Sequence, residues 1–213
     1  PILQIDAFTS EPFKGNPAAV CLLDQPRSAE WMLNVAAEMN LSETAFVVPR
    51  ADGGFDLRWF TPAIEISLCG HATLASSHAL WETQKLAMTD EARFHTLSGW
   101  LSAKRSGSKI EMDFPAIHGE SAELAKPLIE ALGLASGRSV RNCILKPGNG
   151  NYLLELDSEE AVRALKPNFE LLRRTVNTGV IVTARGGSSK FDFISRFFAP
   201  YAGISEDPVT GSA

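Results

Sequence analysis

The sequence predicts a protein of two similar halves, each built from mixed strands and helices. Residues 55–62 and 193–200 both read Phe-x-x-Arg-aromatic-Phe-x-Pro, and each segment leads into a short polar loop. The seventh residue after the proline is Cys69 in the first copy and Asp207 in the second. Such a repeat favours two halves that face one another across a shared cleft, each contributing one reactive loop. The alternative is a pair of similar strands followed by ordinary turns.

The first half is expected to cover residues 1–115 and to contain mainly strands. A Gly-centred hairpin signal at 105–109 separates the last two of them. The predicted strands are 2–8, 18–23, 45–49, 55–60, 93–97, 100–104 and 110–114. After Phe114-Pro115 the pattern of strands and helices restarts, which places the boundary between the halves near 115–120.

Two helices are expected in the first half. Ser28 is a suitable N-cap for the first, because apolar residues follow it at the spacing of one helix face, namely Met32, Val35, Ala36 and Met39. The second should run from about Gly70 to about Thr83. It is apolar nearly all round and rich in small residues, so it is expected to be a central, buried helix.

The second half, residues 116–213, is expected to contain helices at 127–132 and 159–165. Its strands are predicted at 140–145, 152–156, 180–184 and 191–198. The repeated segment in this half has no counterpart of the 70–83 helix after it. We therefore expect the chain to be part of a longer protein that supplies a second central helix and closing strands, leaving an apolar groove beside 180–184 and 191–198.

Composition and charge exclude several functions. A hydrophobic content of 45% with 21% charged residues is ordinary for a globular protein, and a net charge of −5 argues against nucleic-acid binding. Three scattered cysteines suit neither a disulfide framework nor a zinc cage. Apolar runs of membrane-spanning length are missing. The expectation is a cytoplasmic protein without a membrane or nucleic-acid partner.

Five residues could carry chemistry: Glu43, Cys69, His71, Asp207 and Ser212. Glu43 enters the apolar run that begins at Ala45, so its carboxylate is either on an exposed rim or partly buried. From this position alone the rim is the simpler interpretation. Burial would raise the pKa of the carboxyl group and make it a usable proton shuttle.

The two loops offer anion-binding groups. Cys69-Gly70-His71 opens the predicted central helix, where backbone N–H groups favour anions and the imidazole is biased towards its neutral form. Residues 210–212 resemble a nest of donors with a hydroxyl at hand. Taken alone, His71 would be a core histidine. With both loops at one cleft, the residues suit proton abstraction from a small carboxylic acid, without a metal or an organic cofactor.

Five segments together resemble the signature of the PhzF-like phenazine-biosynthesis proteins. They are 15–20, 40–44, 58–62, 68–75 and 206–213. The resemblance implies an α+β, diaminopimelate-epimerase-like fold of two pseudo-symmetric halves, each with a mixed, mostly antiparallel sheet around a central helix. It also implies a homodimer and a cofactor-independent isomerase. The substrate in the phenazine pathway is trans-2,3-dihydro-3-hydroxyanthranilate.

The resemblance also implies a role for each matching residue. Glu43 would be the general acid/base, and His71 and Asp207 would contact the substrate and assist the proton movement. The amides of Gly70 and Gly211 and the hydroxyl of Ser212 would hold the substrate carboxylate. The chain departs from the family at Ser67, where an acidic residue or proline is common. Many members act outside phenazine pathways, so the physiological substrate stays open.

Two alternatives remain at this point. One is an epimerase or racemase of the same fold that uses Cys69 with Asp207. Enzymes of that kind use one thiol from each half, and the second thiol is missing here. The other is a non-enzymatic interaction protein that keeps the fold. Cys69 itself is expected to be structural or a minor contact.

Overall fold

The computed structural model describes residues 1–114, 118–134, 140–145, 150–187 and 191–211. The chain forms two compact units, Pro1–Pro115 and Ala116–Ala213. Among the described residues, helices long and apolar enough to cross a bilayer are absent.

The first unit contains an eight-stranded sheet and two helices. The strands are β1 (Ile2–Ala7), β2 (Asn16–Leu22), β3 (Glu43–Pro49), β4 (Phe55–Phe60), β5 (Glu65–Ile66), β6 (Ala92–Thr96), β7 (Gly99–Ser106) and β8 (Lys109–Asp113). The helices are α1 (Ala29–Met39) and α2 (Gly70–Glu82). The sheet order is β1-β2-β3-β4-β6-β7-β8, and β5 pairs with the last two residues of β4, beyond those that pair with β6. The predicted strands and helices of this half are confirmed, with small shifts of their ends.

The two helices cover opposite faces of this sheet. Because side chains alternate between the faces of a strand, neighbouring strand residues pack against different helices. Ala45, Leu57 and Trp59 share a buried cluster with α2. Phe46 and Phe60 point the other way, into a second cluster with Met32 and Ala36 of α1. Ser28 caps α1 as predicted, since its Oγ accepts a hydrogen bond from the Trp31 N–H at 3.2 Å.

Helix α2 is buried on nearly all sides, as its composition predicts. Ala72, Ala75 and Ala79 are fully buried, and their small size lets the strands pack close to the helix axis. The hydroxyls of Ser76 and Ser77 would be unsatisfied in such a core. They donate instead to backbone carbonyl oxygens one turn earlier in the same helix.

The second unit contains a six-stranded sheet. Its strands are β9 (Glu120–Ser121), β10 (Val140–Leu145), β11 (Tyr152–Leu156), β12 (Val180–Arg185), β13 (Phe193–Ala199) and β14 (Ile204–Asp207). Its helices are α3 (Lys126–Leu132), α4 (Glu159–Arg163) and α5 (Phe169–Thr175), and Pro200–Ala202 forms a 3₁₀ turn. The sheet order is β14-β13-β12-β11-β10-β9.

The sequence did not predict the short strand β9 or the 3₁₀ turn, and two further details of this unit differ from the sequence predictions. Helix α5 was missed because Lys166-Pro167 ends one helical pattern immediately before Asn168, whose side-chain oxygen caps the next helix at the Leu171 N–H. Glu206 and Asp207 were assigned to a loop but lie in β14, which pairs with β13.

The expected apolar groove is wrong for one face of β12 and β13. Val180, Val182 and Phe198 share a buried cluster with residues of α3, α4 and α5, so helices cover that face. On the opposite face, Ile181 lies outside this cluster, and Phe193 is 57% exposed. That the chain is part of a longer protein stays a prediction.

The sequence repeat corresponds to a repeat of topology. Strands β1 to β4 pair in the order antiparallel, parallel, antiparallel, and strands β10 to β13 repeat this order. The repeated segments form β4 and β13. In both units the parallel step is bridged by helix, α1 in the first and α4 with α5 in the second.

The repeated arginines share one set of contacts in both units. Arg58 donates two hydrogen bonds of 2.7 Å to the Glu65 carboxylate, and its guanidinium lies 5.1 Å from the centre of the Phe60 ring. Arg196 donates to Glu206 at 2.7 and 2.8 Å and lies 5.0 Å from the Phe198 ring. We call each set of contacts an arginine clamp.

Strand pairing corrects the alignment of the two loops. Trp59 pairs with Ile66, and its counterpart Phe197 pairs with Asp207. The clamps accordingly match Glu65 with Glu206, and continuing along both chains matches Cys69 with Thr210. Counting from the prolines had matched Cys69 with Asp207. That count was wrong because the second copy contains the additional turn at Pro200–Ala202.

Candidate active site

The candidate site lies at one edge of the first sheet. Strands β2 and β3 are parallel and both begin there, with Asn16 and Glu43 as their first residues. Helix α2 presents its N-terminus to Glu43 through His71, its second residue. Three elements therefore bring polar groups to one edge of an otherwise apolar core.

A row of three buried side chains occupies this edge. Glu43, His71 and Cys69 are only 8%, 5% and 7% exposed. His71 Nε2 lies 3.3 Å from Glu43 Oε2, and His71 Nδ1 lies 3.4 Å from Cys69 Sγ. The imidazole therefore stands between the carboxylate and the thiol. We call these residues the Glu43–His71–Cys69 row.

The row decides between the two interpretations of Glu43. Its carboxylate is buried beside a histidine and is not on an exposed rim. The 3.3 Å separation is within hydrogen-bonding reach, although the ring orientation leaves Nε2 without a well-aligned acceptor among the described residues. Catalytic hydrogen bonds are often imperfectly aligned before substrate binds.

Burial controls the charge of His71. Loss of solvation lowers the pKa of its imidazole to about 4. Near neutral pH the ring is therefore uncharged, with one nitrogen as donor and the other as acceptor. The contact with Glu43 is consequently a contact of a carboxylate with a neutral ring, not an ion pair.

A thiol, an imidazole and a carboxylate are also metal ligands, and one ligand atom from each of these residues lies within 4.8 Å of the others. The ring, however, directs a different nitrogen to each neighbour. A single metal ion can bind only one imidazole nitrogen, with the thiolate and carboxylate on that same side. The arrangement therefore suits proton handling better than metal binding.

The N-terminus of α2 is open to a ligand. Cys69 is its N-cap residue, and its side chain makes no capping hydrogen bond to the helix. A Cβ added to Gly70 would meet no atom within 4 Å among the described residues, so the backbone there can be approached closely. Uncapped N–H groups at a helix start attract anions such as a substrate carboxylate.

Three of the predicted site residues, Asp207, Gly211 and Ser212, belong to the second unit, and those that the structure describes are placed relative to that unit alone. Asp207 is the last residue of β14, and its Oδ2 accepts a hydrogen bond of 2.5 Å from the Thr210 hydroxyl. Gly211 follows and is exposed. Ser212 lies outside the described residues.

Sequence reasoning undervalued two residues of this edge. Asn16 received no role, yet it is fully buried at the start of β2. The Gly-Asn-Pro sequence was the available signal: a Cβ at Gly15 would lie 2.1 Å from the Ala7 carbonyl oxygen, so only glycine fits there. Cys69 was expected to be a minor contact but lies against His71.

Cys21, by contrast, is buried away from this row, and burial raises the pKa of its thiol to about 11.

Comparison with known proteins identifies the class of fold and then the family. A predicted epimerase from Pseudomonas aeruginosa superposes with a TM-score of 0.69, covering 96% of this chain and 75% of its own chain. At 20% identity this supports the fold alone, and it agrees with the diaminopimelate-epimerase-like architecture predicted. The family model described as phenazine biosynthesis-like protein, PhzC-PhzF, matches residues 5–213. The chain belongs to this family.

Relatives at higher identity agree. A protein of Halalkalibacterium halodurans named an uncharacterized isomerase is 49% identical over 100% of this chain and 78% of its own length. The crystal structure of a PhzF-family protein from Enterococcus faecalis is 40% identical, with a TM-score of 0.81. It covers 99% of this chain and 77% of its own chain.

Proposed function

We propose that this protein is an isomerase that moves a proton within a small unsaturated or hydroxylated cyclic carboxylic acid, with Glu43 as the general acid/base. One observation carries the proposal: the Glu43 carboxylate is buried 3.3 Å from a neutral imidazole, at the N-terminus of a buried helix. The name of the H. halodurans relative supports the isomerase class.

The proton would move through Glu43. The ionised carboxylate takes a proton from one carbon of the substrate and returns it to another, so the net change is an isomerisation that needs no redox step. Because His71 is neutral, no imidazolium charge lowers the proton affinity of Glu43. The carboxylate can therefore act as a base and then as an acid within one turnover.

The helix start would hold the substrate. The N–H groups near Gly70 meet the substrate carboxylate, and the partial positive charge of the α2 N-terminus stabilises it. This places the acid group of the substrate close to Glu43. A conjugated ring such as that of trans-2,3-dihydro-3-hydroxyanthranilate would spread the negative charge that develops when the proton leaves.

The remaining roles are carried over from the family resemblance. We propose that Asp207 contacts the substrate and assists the proton movement, and that Gly211 and Ser212 add donors for its carboxylate. Cofactor independence belongs to the same proposal. A homodimer and a cytoplasmic location stay predictions.

Deuterium labelling tests the proposal. The protein is incubated in deuterated water with candidate cyclic hydroxy acids, including trans-2,3-dihydro-3-hydroxyanthranilate, and label uptake is followed by NMR. We expect a positional isomer of one candidate, formed by the wild type and not by Glu43→Gln. Isomerisation at the wild-type rate by folded Glu43→Gln would refute the assignment of Glu43.

The Cys69 thiol keeps one other activity in consideration, because it lies 3.4 Å from His71 Nδ1. In an epimerase or racemase, a thiol could exchange a proton on one side of a carbon centre. Strand pairing matches Cys69 with Thr210, so a pair of thiols is not formed by the two loops. Inversion of a stereocentre without formation of a positional isomer, abolished by Cys69→Ala, would favour this second activity.

A further inference from the structure

Cysteine is an unusual residue at a helix N-cap, the position that Cys69 occupies in α2. Serine, threonine, aspartate and asparagine are preferred there because their side chains accept hydrogen bonds from the first N–H groups of the helix. Cys69 makes no such bond, although its backbone is extended like that of other N-caps, with φ −146° and ψ 117°. Its sulfur lies instead 3.4 Å from Nδ1 of His71, two residues later.

The hydrogen positions in the row follow from donor and acceptor capacity. A neutral imidazole carries one proton, and the Glu43 carboxylate, in the ionised form that the proposed function requires of a base, can only accept. The favourable tautomer therefore has its proton on Nε2, the ring nitrogen that lies 3.3 Å from Glu43 Oε2. Nδ1 is then an acceptor, and the S–H group of Cys69 is a donor within its reach.

We propose that Cys69 is a positioning residue, whose thiol donates to Nδ1 of His71 and so keeps the Nε2–H of the ring facing Glu43. Two other properties of the position agree with this role. As a weak capping residue, Cys69 leaves the helix N–H groups to the substrate. At 7% exposure, its thiol is also shielded from water that could replace it as the donor to Nδ1.

The inference rests on the proposed function only in taking Glu43 to be the general acid/base. Its test needs no substrate. The nitrogen chemical shifts of His71 in ¹⁵N-labelled protein report which nitrogen carries the proton. In the wild type near pH 7 we expect Nε2 to be protonated and Nδ1 to be bare. A wild-type ring protonated on Nδ1 would overturn the proposal.

Variants at Cys69 test the cause. In Cys69→Ala the donor is lost, and we expect a mixture of tautomers with averaged nitrogen shifts. Cys69→Ser restores a donor, so the His71 nitrogen shifts in this variant should lie closer to those of the wild type than the shifts in Cys69→Ala do. A serine hydroxyl that also caps α2 would donate to Nδ1 only part of the time and would restore the wild-type shifts only in part. Unchanged His71 shifts in folded Cys69→Ala would show that the thiol does not set the tautomer.

His78 provides an internal control because it lies in the same helix, and its nitrogen shifts should be the same in all three proteins if α2 is intact. Deuterium labelling separates the two proposals. If no candidate substrate is isomerised but the His71 shifts are as expected, the proposed function alone is refuted. Normal isomerisation with a tautomer independent of Cys69 would remove this inference alone.

Discussion

The two units share a scaffold but differ at the position that carries the proposed acid/base. Thr44 pairs with Phe60 in the first unit, and Val180 pairs with Phe198 in the second. The repeat makes Phe60 and Phe198 equivalent, so Glu43, one residue before Thr44, corresponds to Gly179. A Cβ at Gly179 would lie 2.3 Å from the Phe197 ring and 2.6 Å from Asn151 Oδ1.

The difference shows how one scaffold can be used in two ways. In the first unit, the start of β3 carries a carboxylate beside a histidine. In the second unit, the corresponding start of β12 is closed by Phe197 and Asn151, which leave no space for a side chain. The proposed acid/base therefore belongs to the first unit. The second unit retains the clamp and the sheet, and Asp207 is its proposed contribution to the site. Four predictions test this contrast.

The largest effect is expected at Glu43. Glu43→Gln keeps the shape of the side chain and removes its titratable group, so turnover on an identified substrate should fall by about 10²–10⁴-fold. The matched control is Glu65→Gln, which removes the carboxylate of the Arg58 clamp. This control should retain proton exchange. Equal losses in both variants would show that the effect is structural.

A second effect comes from the burial of His71, whose counterpart in the second loop is Ser212. The unfolded imidazole has a pKa near 6.5 and the folded one about 4, so between these values the unfolded state binds more protons. Folding stability contributed by this group is complete above about pH 6.5 and declines as the pH falls towards 4. The full difference is on the order of 3 kcal/mol.

Denaturant unfolding of wild type and His71→Asn from pH 4 to 7 measures this effect. The difference between the two unfolding free energies should change with pH in the direction given, favouring the wild type more at higher pH. His95→Asn is the control, because His95 is exposed. A parallel pH dependence for wild type and His71→Asn would contradict the depressed pKa.

A smaller effect on stability is expected at Gly179. Gly179→Ala forces the Phe197 ring or Asn151 to move and should lower the free energy of unfolding by about 1–3 kcal/mol. Gly187→Ala is the matched control in the same unit, since a Cβ there meets no atom within 4 Å among the described residues. Equal stability of the two variants in denaturant unfolding would mean that the start of β12 is not closed.

The smallest effect distinguishes the two arginine clamps. Arg58→Met and Arg196→Met each remove a partly exposed ion pair, which contributes about 0.2–1 kcal/mol. Arg196 also donates to the carbonyl oxygens of Val162 and Leu165, at 3.2 and 2.9 Å. Arg196→Met should therefore cost about 1 kcal/mol more than Arg58→Met in thermal or denaturant unfolding. A larger loss of stability for Arg58→Met would show that the two additional hydrogen bonds of Arg196 do not make its clamp the more stabilising one.

The sequence was informative where local pattern and tertiary structure agree. The small apolar residues of α2 predicted a buried helix, and the repeated Arg and Phe predicted β4 and β13. The family resemblance brought Glu43 and His71 to one site, and the structure places them 3.3 Å apart. These features depend on residue types and spacings that are visible along the chain.

Other features depend on contacts that spacing does not reveal. The match of Asp207 with Cys69 was wrong because it is Glu206, bound to Arg196, that sets the register of β14. The contact of Cys69 with His71 depends on the extended backbone of the N-cap. Helix α5 is short and starts two residues after a proline, so its pattern was too weak to separate from the preceding segment.

The arginine clamps also have a consequence for comparing homologues. Seven positions separate Arg58 from Glu65, and ten separate Arg196 from Glu206, yet both pairs close with the same two hydrogen bonds. If the halves descend from a duplicated gene, insertions could accumulate between arginine and glutamate as long as the pair still closed. Alignments of the two halves, or of distant relatives, should therefore be anchored on the glutamate. An alignment anchored on the proline would assign the reactive loop of one half to the wrong residues of the other.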